Sequence, residues 1–192
     1  MVQSLTSLVP VGLLEELLNL AMGKGGDFAE LYVERTRGNS ISLEENKIRS
    51  AAEGKSLGMG IRVIKGREVG YAYYDDLDPA ALKDCARVAA NIASGGGSPA
   101  PIRVSRQDIP DRYPVEVLPD DVAPREKVDL LLRGDAVAHQ HDSRVIQVMG
   151  AFVDQTKDVL IATSDGVLSE DRRTMCRMHF AAIADDGQGD RR

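Results

Sequence analysis

The chain of 192 residues has no tryptophan, three phenylalanines and five tyrosines, too few rings for a platform on which single-stranded bases would stack. Basic residues are outnumbered, 24 Lys and Arg against 30 Asp and Glu, which leaves a net charge of −6. They are scattered among acids, with only short pairs such as Arg172-Arg173, so the clustered positive charge that neutralises nucleic-acid phosphates is missing. Cysteines number two, Cys85 and Cys176, far apart and without a C-x-x-C partner, which excludes a disulfide framework and a zinc knuckle. Long apolar runs are absent as well. The most apolar stretches, near 13–22 and 145–153, fall well short of the roughly 18–20 residues of a membrane span. Residues 1–14 carry no basic n-region and no small-residue cleavage site, so they do not read as a signal peptide. A reducing, cytoplasmic location is the expectation. What is present is ordinary for a globular chain: 43% hydrophobic and 28% charged residues, enough for a core without cross-links.

Proline and glycine divide the chain. Six of the eight prolines (Pro99, Pro101, Pro110, Pro114, Pro119 and Pro124) follow directly on the run Ser94-Gly95-Gly96-Gly97-Ser98. Such a stretch is expected to hold neither ladder nor helix. The predicted organisation is therefore a first helix-and-strand subdomain at 1–94, a connector at 95–121 and a second subdomain at 122–192.

In the first block, Leu13, Leu14, Leu17, Leu18 and Ala21 recur at helical spacing and predict one helix over 7–23, stopped by Gly23, Gly25 and Gly26. Alternation of Ala29, Leu31 and Val33 with polar neighbours predicts a strand over 28–36. Gly38-Asn39 reads as a turn, 40–43 as a second strand, and Glu44-Glu45-Asn46-Lys47 as a hairpin tip. Strand resumes at Ile48, is interrupted at Gly66-Arg67-Glu68, and continues over 69–74. Asp78-Pro79 is an N-cap with proline at the first helical position, ahead of the stripe Leu82, Cys85, Ala86, Ala89 and Ile92. In the second block a helix starts at Pro124 with Val128, Leu131, Leu132 and Ala136 on one face. Strands are expected at 144–154, 158–162 and 172–184, with a turn at Ser164-Asp165-Gly166. Connections this short forbid crossovers, so the fold class is α+β, a mostly antiparallel sheet with flanking helices, built as two degenerate helix-plus-strands repeats.

Residues able to do chemistry are few and dispersed. His139 and His141 point about 200° apart on a helix and cannot chelate together, while cationic side chains at a helix C-terminus suit its dipole. His179 lies between Met178 and Phe180 on a strand and reads as a sheet-face residue. Cys85 falls on an apolar stripe, where a thiol packs as a small hydrophobe, and Cys176 on an alternating strand. Gly58-Met59-Gly60 lacks the third glycine of a dinucleotide fingerprint and reads as a bend or bulge. Gly95-Gly96-Gly97 lacks the Lys-Ser/Thr of a phosphate loop. The acidic groups Glu44-Glu45, Asp75-Asp76-Asp78, Asp120-Asp121 and Asp185-Asp186 sit in turns or at helix starts, as caps or solvated charges. No catalytic, cofactor-binding or metal-ligating residue is assigned.

Four pieces in order carry a resemblance. They are Asp27-Phe28-Ala29-Glu30-Leu31-Tyr32-Val33-Glu34, Leu43-Glu44-Glu45-Asn46-Lys47-Ile48-Arg49-Ser50, Gly58-Met59-Gly60-Ile61-Arg62-Val63-Ile64 and Gly70-Tyr71-Ala72-Tyr73. Together they resemble the N-terminal domain of the TldD/PmbA family, the zinc metallopeptidases also called modulators of DNA gyrase. Asp142-Ser143-Arg144-Val145 and Ile161-Ala162-Thr163-Ser164-Asp165-Gly166 are similar to the TldD branch rather than the PmbA branch. The resemblance implies a cytoplasmic protease whose zinc is held by a helical H-E-x-x-x-H motif and a later Cys. No His of this chain is followed by Glu, so none of those ligands maps onto it. It is expected to be the non-catalytic part of such an enzyme, a truncated or natural short form, with zinc in the missing C-terminal part. Its expected role is to help enclose unfolded peptide and shape a dimer chamber with a PmbA-like or identical subunit, without direct contact to nucleic acid or membrane. The alternative is a standalone adaptor of the same fold that binds a partner protein and has no peptidase activity.

Overall fold

The structure is a computed structural model that describes residues 3–92, 101–111 and 113–187. Its elements are α1 (Leu5–Leu8), α2 (Val11–Met22), β1 (Phe28–Glu44), β2 (Lys47–Lys65), β3 (Glu68–Tyr74), α3 (Pro79–Ile92), β4 (Ser105–Arg106), a 3-10 turn (Pro119–Asp121), α4 (Pro124–His141), β5 (Val145–Thr163) and β6 (Val167–Ala184). The six strands form one sheet in the order β3-β2-β1-β5-β6-β4.

Tight turns make most of it antiparallel. Glu45 and Asn46 both adopt positive φ, 52° and 57°, the two-residue turn whose twist matches that of paired strands. Gly66 and Gly166, at φ 57° and 95°, close the β2–β3 and β5–β6 turns. β1 and β5 also run in opposite directions: the Ser164 N–H donates to the Ala29 carbonyl and the Glu45 N–H to the Val148 carbonyl. β4 is parallel to its neighbour, Ser105 and Arg106 pairing with Val167 and Leu168 of β6. The α+β class with a mostly antiparallel sheet and flanking helices is thus observed.

Several boundaries differ from the expectation. The single N-terminal helix is two, because Pro10 offers no N–H and holds Val9 extended at φ −121°, ψ 95°. Gly38-Asn39 is no turn; β1 runs through it without a positive φ at Gly38. Glycine is needed there for close approach, since a Cβ would lie 2.6 Å from the Asp154 carbonyl oxygen. β5 likewise continues through 155–157, and β6 begins at Val167 rather than 172. The connector does hold a short ladder, β4, and the 3-10 turn; its residues 95–100 lie outside the described residues. The Asp78 cap is observed, its carboxylate accepting from the Ala81 N–H at 2.9 Å.

Two compact units emerge, and the long strands supply segments to both. The first comprises the described residues of Met1–Thr36, Ser56–Arg112 and Lys157–Arg172. Its core joins helical stripes (Leu14, Leu17, Leu18, Ala21; Leu82, Ala86, Ala89) to alternate strand positions (Ala29, Leu31, Val33; Met59, Ile61, Val63; Leu160, Ala162). The second comprises those of Arg37–Lys55, Tyr113–Thr156 and Arg173–Arg192. Here Ile41 and Leu43 of β1 pack on Leu131 of α4, with Val128, Leu132, Phe152 and Phe180 around them. Among the described residues no helix is long and apolar enough to cross a membrane.

Candidate functional site

In the second unit α4 lays a charged side chain into the interior. Lys127 is one turn ahead of Leu131 on the buried stripe, and its ammonium donates to Asp154 Oδ2 at 2.6 Å. The two side chains are 4% and 0% exposed. Asn39 Nδ2 donates to the other carboxylate oxygen at 3.0 Å, so both oxygens of Asp154 are held. The Lys127 ammonium also stands 6.0 Å from the centroid of the Phe152 ring. A cavity of about 500 Å³ opens beside this pair. Arg37, Asn39 and Ile41 of β1 and Ala51, Glu53 and Lys55 of β2 line it, with Pro119, Asp120 and Val122 opposite. Its cations are matched: Arg37 reaches Asp120 at 3.2 Å and Lys55 reaches Glu53 at 2.7 Å. With Lys127 held by Asp154 as well, the charges of the cavity wall are paired.

In the first unit the outer face of β2 and β3 carries tyrosine. Register places Gly60 opposite Tyr73 and Arg62 opposite Tyr71 without a break, so the ladder with β3 carries no bulge from Met59 to Lys65. Gly60 makes room for a ring, a Cβ there lying 2.7 Å from the Tyr71 hydroxyl, and Gly58 for backbone first, a Cβ there lying 2.8 Å from the Tyr74 carbonyl oxygen and 3.1 Å from the Tyr73 hydroxyl. Tyr32 and Glu34 of β1 complete a shallow groove of about 190 Å³. Burial alone would push the Glu34 carboxyl up, but hydrogen bonds from Tyr32, Lys157 and Thr36 hold it below its ordinary value.

The other residues weighed from the sequence are dispersed. His139 lies in the last turn of α4, its Nδ1 3.1 Å from the Asp135 carbonyl and 3.6 Å from Asp135 Oδ2; His141 ends the same helix. His179 is exposed on β6. Cys85 sits 3.8 Å from the Tyr73 carbonyl, and burial, with Asp84 adding to it, raises its thiol. Burial also raises the Cys176 thiol, reinforced by Asp154 and opposed by Lys127. Raised thiols carry little thiolate, the reactive form. Asp142 pairs with Arg144 at 2.7 Å in the turn after α4. Lys127 and Asp154 were not singled out in the sequence. For Lys127 alone a signal lies in the spacing, four residues before Leu131 on a helical stripe.

A zinc centre of the kind the resemblance implies calls for clustered His and Cys ligands. Among the described residues no three His, Cys, Asp or Glu side chains converge on a point that would hold a metal ion. The donor set of the described residues does not fit a zinc centre.

Comparison with known proteins follows the same line. Two family models match: PmbA/TldA metallopeptidase domain 1 over residues 29–93 and the PmbA/TldA metallopeptidase central domain over residues 118–192. The Metalloprotease TldD homolog of Haemophilus influenzae is 27% identical over 162 residues, 83% of this chain and 34% of that protein. The chain thus spans about a third of that relative's length. A Thermotoga maritima protein named for modulation of DNA gyrase shares the fold with a TM-score of 0.73 at 18% identity, over 94% of this chain and 41% of its own. TldE of Thermococcus kodakarensis does so with a TM-score of 0.65 at 23% identity, over 91% and 40%. Two domain models matched in chain order, together over more than half of its residues, show that this chain belongs to the PmbA/TldD metallopeptidase family.

Proposed function

We propose that this chain is the non-catalytic, substrate-enclosing part of a PmbA/TldD-type peptidase. It comprises two helix-and-strand subdomains at 1–94 and 122–192 joined by the connector at 95–121. It works in the cytoplasm on unfolded peptide, in a dimer with a PmbA-like or identical subunit, and touches neither nucleic acid nor membrane. Zinc and the residues that hold it belong to the catalytic part of the assembly. One observation carries the reading: the chain matches the first and central domain models of the family, while none of its three histidines begins the family's metal-binding H-E-x-x-x-H.

The physical role follows from what a protease of unfolded chains requires. Such an enzyme must admit extended backbone and refuse folded domains. Long strands with solvent on one side offer both a wall and backbone groups that an extended chain can use. The test compares one polypeptide in two states, a fluorescein-labelled disulfide-rich protein used native and after reduction and alkylation. Fluorescence anisotropy with this chain is expected to show binding of the alkylated form and none of the native form. Equal binding of both, or of neither, contradicts the proposal.

A further inference from the structure

We infer that the groove formed by Tyr32, Tyr71, Tyr73 and Glu34 on the outer face of the first unit is a binding site for a quaternary ammonium group. The site is independent of the enclosing role proposed above.

Strand alternation builds it. Ala29, Leu31 and Val33 of β1 and Met59 and Ile61 of β2 turn to the core, so Tyr32, Glu34, Gly58 and Gly60 share the opposite face, with Tyr71 and Tyr73 of β3 beside them. Tyr71 stands opposite Arg62 in the ladder yet its ring reaches Gly60, and Tyr73 stands opposite Gly60 yet reaches Gly58. Both rings lean the same way, each toward a glycine. A Cβ at Gly60 would lie 2.7, 3.2 and 3.3 Å from Tyr71 Oη, Cε2 and Cζ, so that ring is laid over the strand rather than standing away from it. Tyr71 and Tyr73 remain 57% and 58% exposed, and the face an aromatic ring shows to solvent is the electron-rich part that attracts cations.

Charge and hydrogen bonding narrow the ligand. Glu34 lies in the same groove and accepts from the Tyr32 hydroxyl at 2.7 Å, the Thr36 hydroxyl at 2.9 Å and the Lys157 ammonium at 3.0 Å. Burial alone would raise its carboxyl, but these bonds hold it below its ordinary value, so it is ionised at neutral pH. A cation with N–H groups needs acceptors, and three donors already occupy this carboxylate. A quaternary ammonium donates no hydrogen bond and asks only for ring faces and a negative charge nearby. Lys157 opposes it, offsetting part of the Glu34 charge. Arg62, next to Tyr71 in the ladder, is itself paired with Glu30 at 3.3 Å. At about 190 Å³ the groove is smaller than the roughly 300–1,000 Å³ of pockets that enclose a whole small molecule, which fits a head group.

The experiment titrates the chain with choline and with 3,3-dimethyl-1-butanol, the same shape with carbon in place of the charged nitrogen, at constant ionic strength. Ligand methyl protons are followed by NMR. Choline is expected to bind at millimolar concentration with its methyl resonance moved upfield by the rings, and the neutral alcohol about fivefold more weakly. Replacing both exposed rings, Tyr71→Leu with Tyr73→Leu, is expected to abolish the upfield shift while circular dichroism stays unchanged. Glu34→Gln leaves Lys157 uncompensated and is expected to weaken choline about fivefold, whereas Lys157→Met is expected to strengthen it. Opposite signs from the two partners of one ion pair are what a purely structural role would not give. Nα-acetyl-Nε-trimethyllysine amide is compared with choline: tighter binding of the first assigns the site to a methylated lysine of a polypeptide, tighter binding of choline to a free small molecule. Equal binding of the neutral alcohol would overturn the inference, leaving only an apolar patch. So would an upfield shift that survives loss of both rings, effects of the same sign from Glu34→Gln and Lys157→Met, or binding of neither cation.

Discussion

The Lys127–Asp154 pair shows how much a single side chain decides here. Two opposite charges are withdrawn from water, 4% and 0% exposed, and Asn39 holds the remaining carboxylate oxygen. Deleting one partner leaves the other charged and buried, which costs more than the pair itself contributes. Lys127→Met is predicted to destabilise the chain by about 3–5 kcal/mol in urea unfolding, and adding Asp154→Leu to recover most of the loss. The surface pair Asp142–Arg144 behaves differently. Arg144's side chain and N–H hold the Asp142 carboxyl down from 3.8 to about 2. A carboxyl depressed in the folded state stabilises above its unfolded value and loses that contribution as pH falls through its folded one. The Asp142 contribution is therefore complete above about pH 4 and fades toward pH 2. Carbon-detected NMR titration should place its midpoint near 2, and Arg144→Gln should return it toward 3.8. Chemistry at this scale was only partly readable. The capping role of Asp78 was plain because its partner, Ala81, is three residues away, whereas the partner of Asp154 lies on a distant helix.

Elements fit together through glycines placed where backbone or rings approach. Phe180 of β6 occupies a slot between Gly134 of α4 and Gly150 of β5; a Cβ at Gly134 would run into its ring, and one at Gly150 would lie 2.7 Å from it. Gly134→Ala gains up to about 1 kcal/mol of helix propensity but must displace the ring, so a net loss of about 1–2 kcal/mol is predicted in thermal unfolding. Phe180→Leu in the same chain should relieve it. Gly38→Ala meets the Asp154 carbonyl at 2.6 Å, a backbone atom that no side-chain change can move. Helical stripes and the Glu45-Asn46 turn were legible because they depend on residues within a few positions of each other. The length of β1 and β5 was not. Gly38-Asn39 carries the composition of a turn, yet its glycine answers to a strand far along the chain and its amide to Asp154. Polar residues around 154–158 looked like an interruption, but Asp154 and Asp158 are consumed by Lys127, Asn39, Arg35 and Arg172.

At the scale of the whole chain, an acidic balance of −6 and basic residues scattered among acids leave no clustered positive charge for nucleic-acid phosphates. Membership of the metallopeptidase family is what the proposed role rests on, a part that holds peptide and leaves cutting to another part. The most direct measurement incubates the purified chain with the alkylated polypeptide and equimolar zinc, with and without chelator, and follows the polypeptide by mass spectrometry. The account predicts polypeptide bound yet recovered intact in both samples. Cleavage by this chain that the chelator abolishes would contradict it.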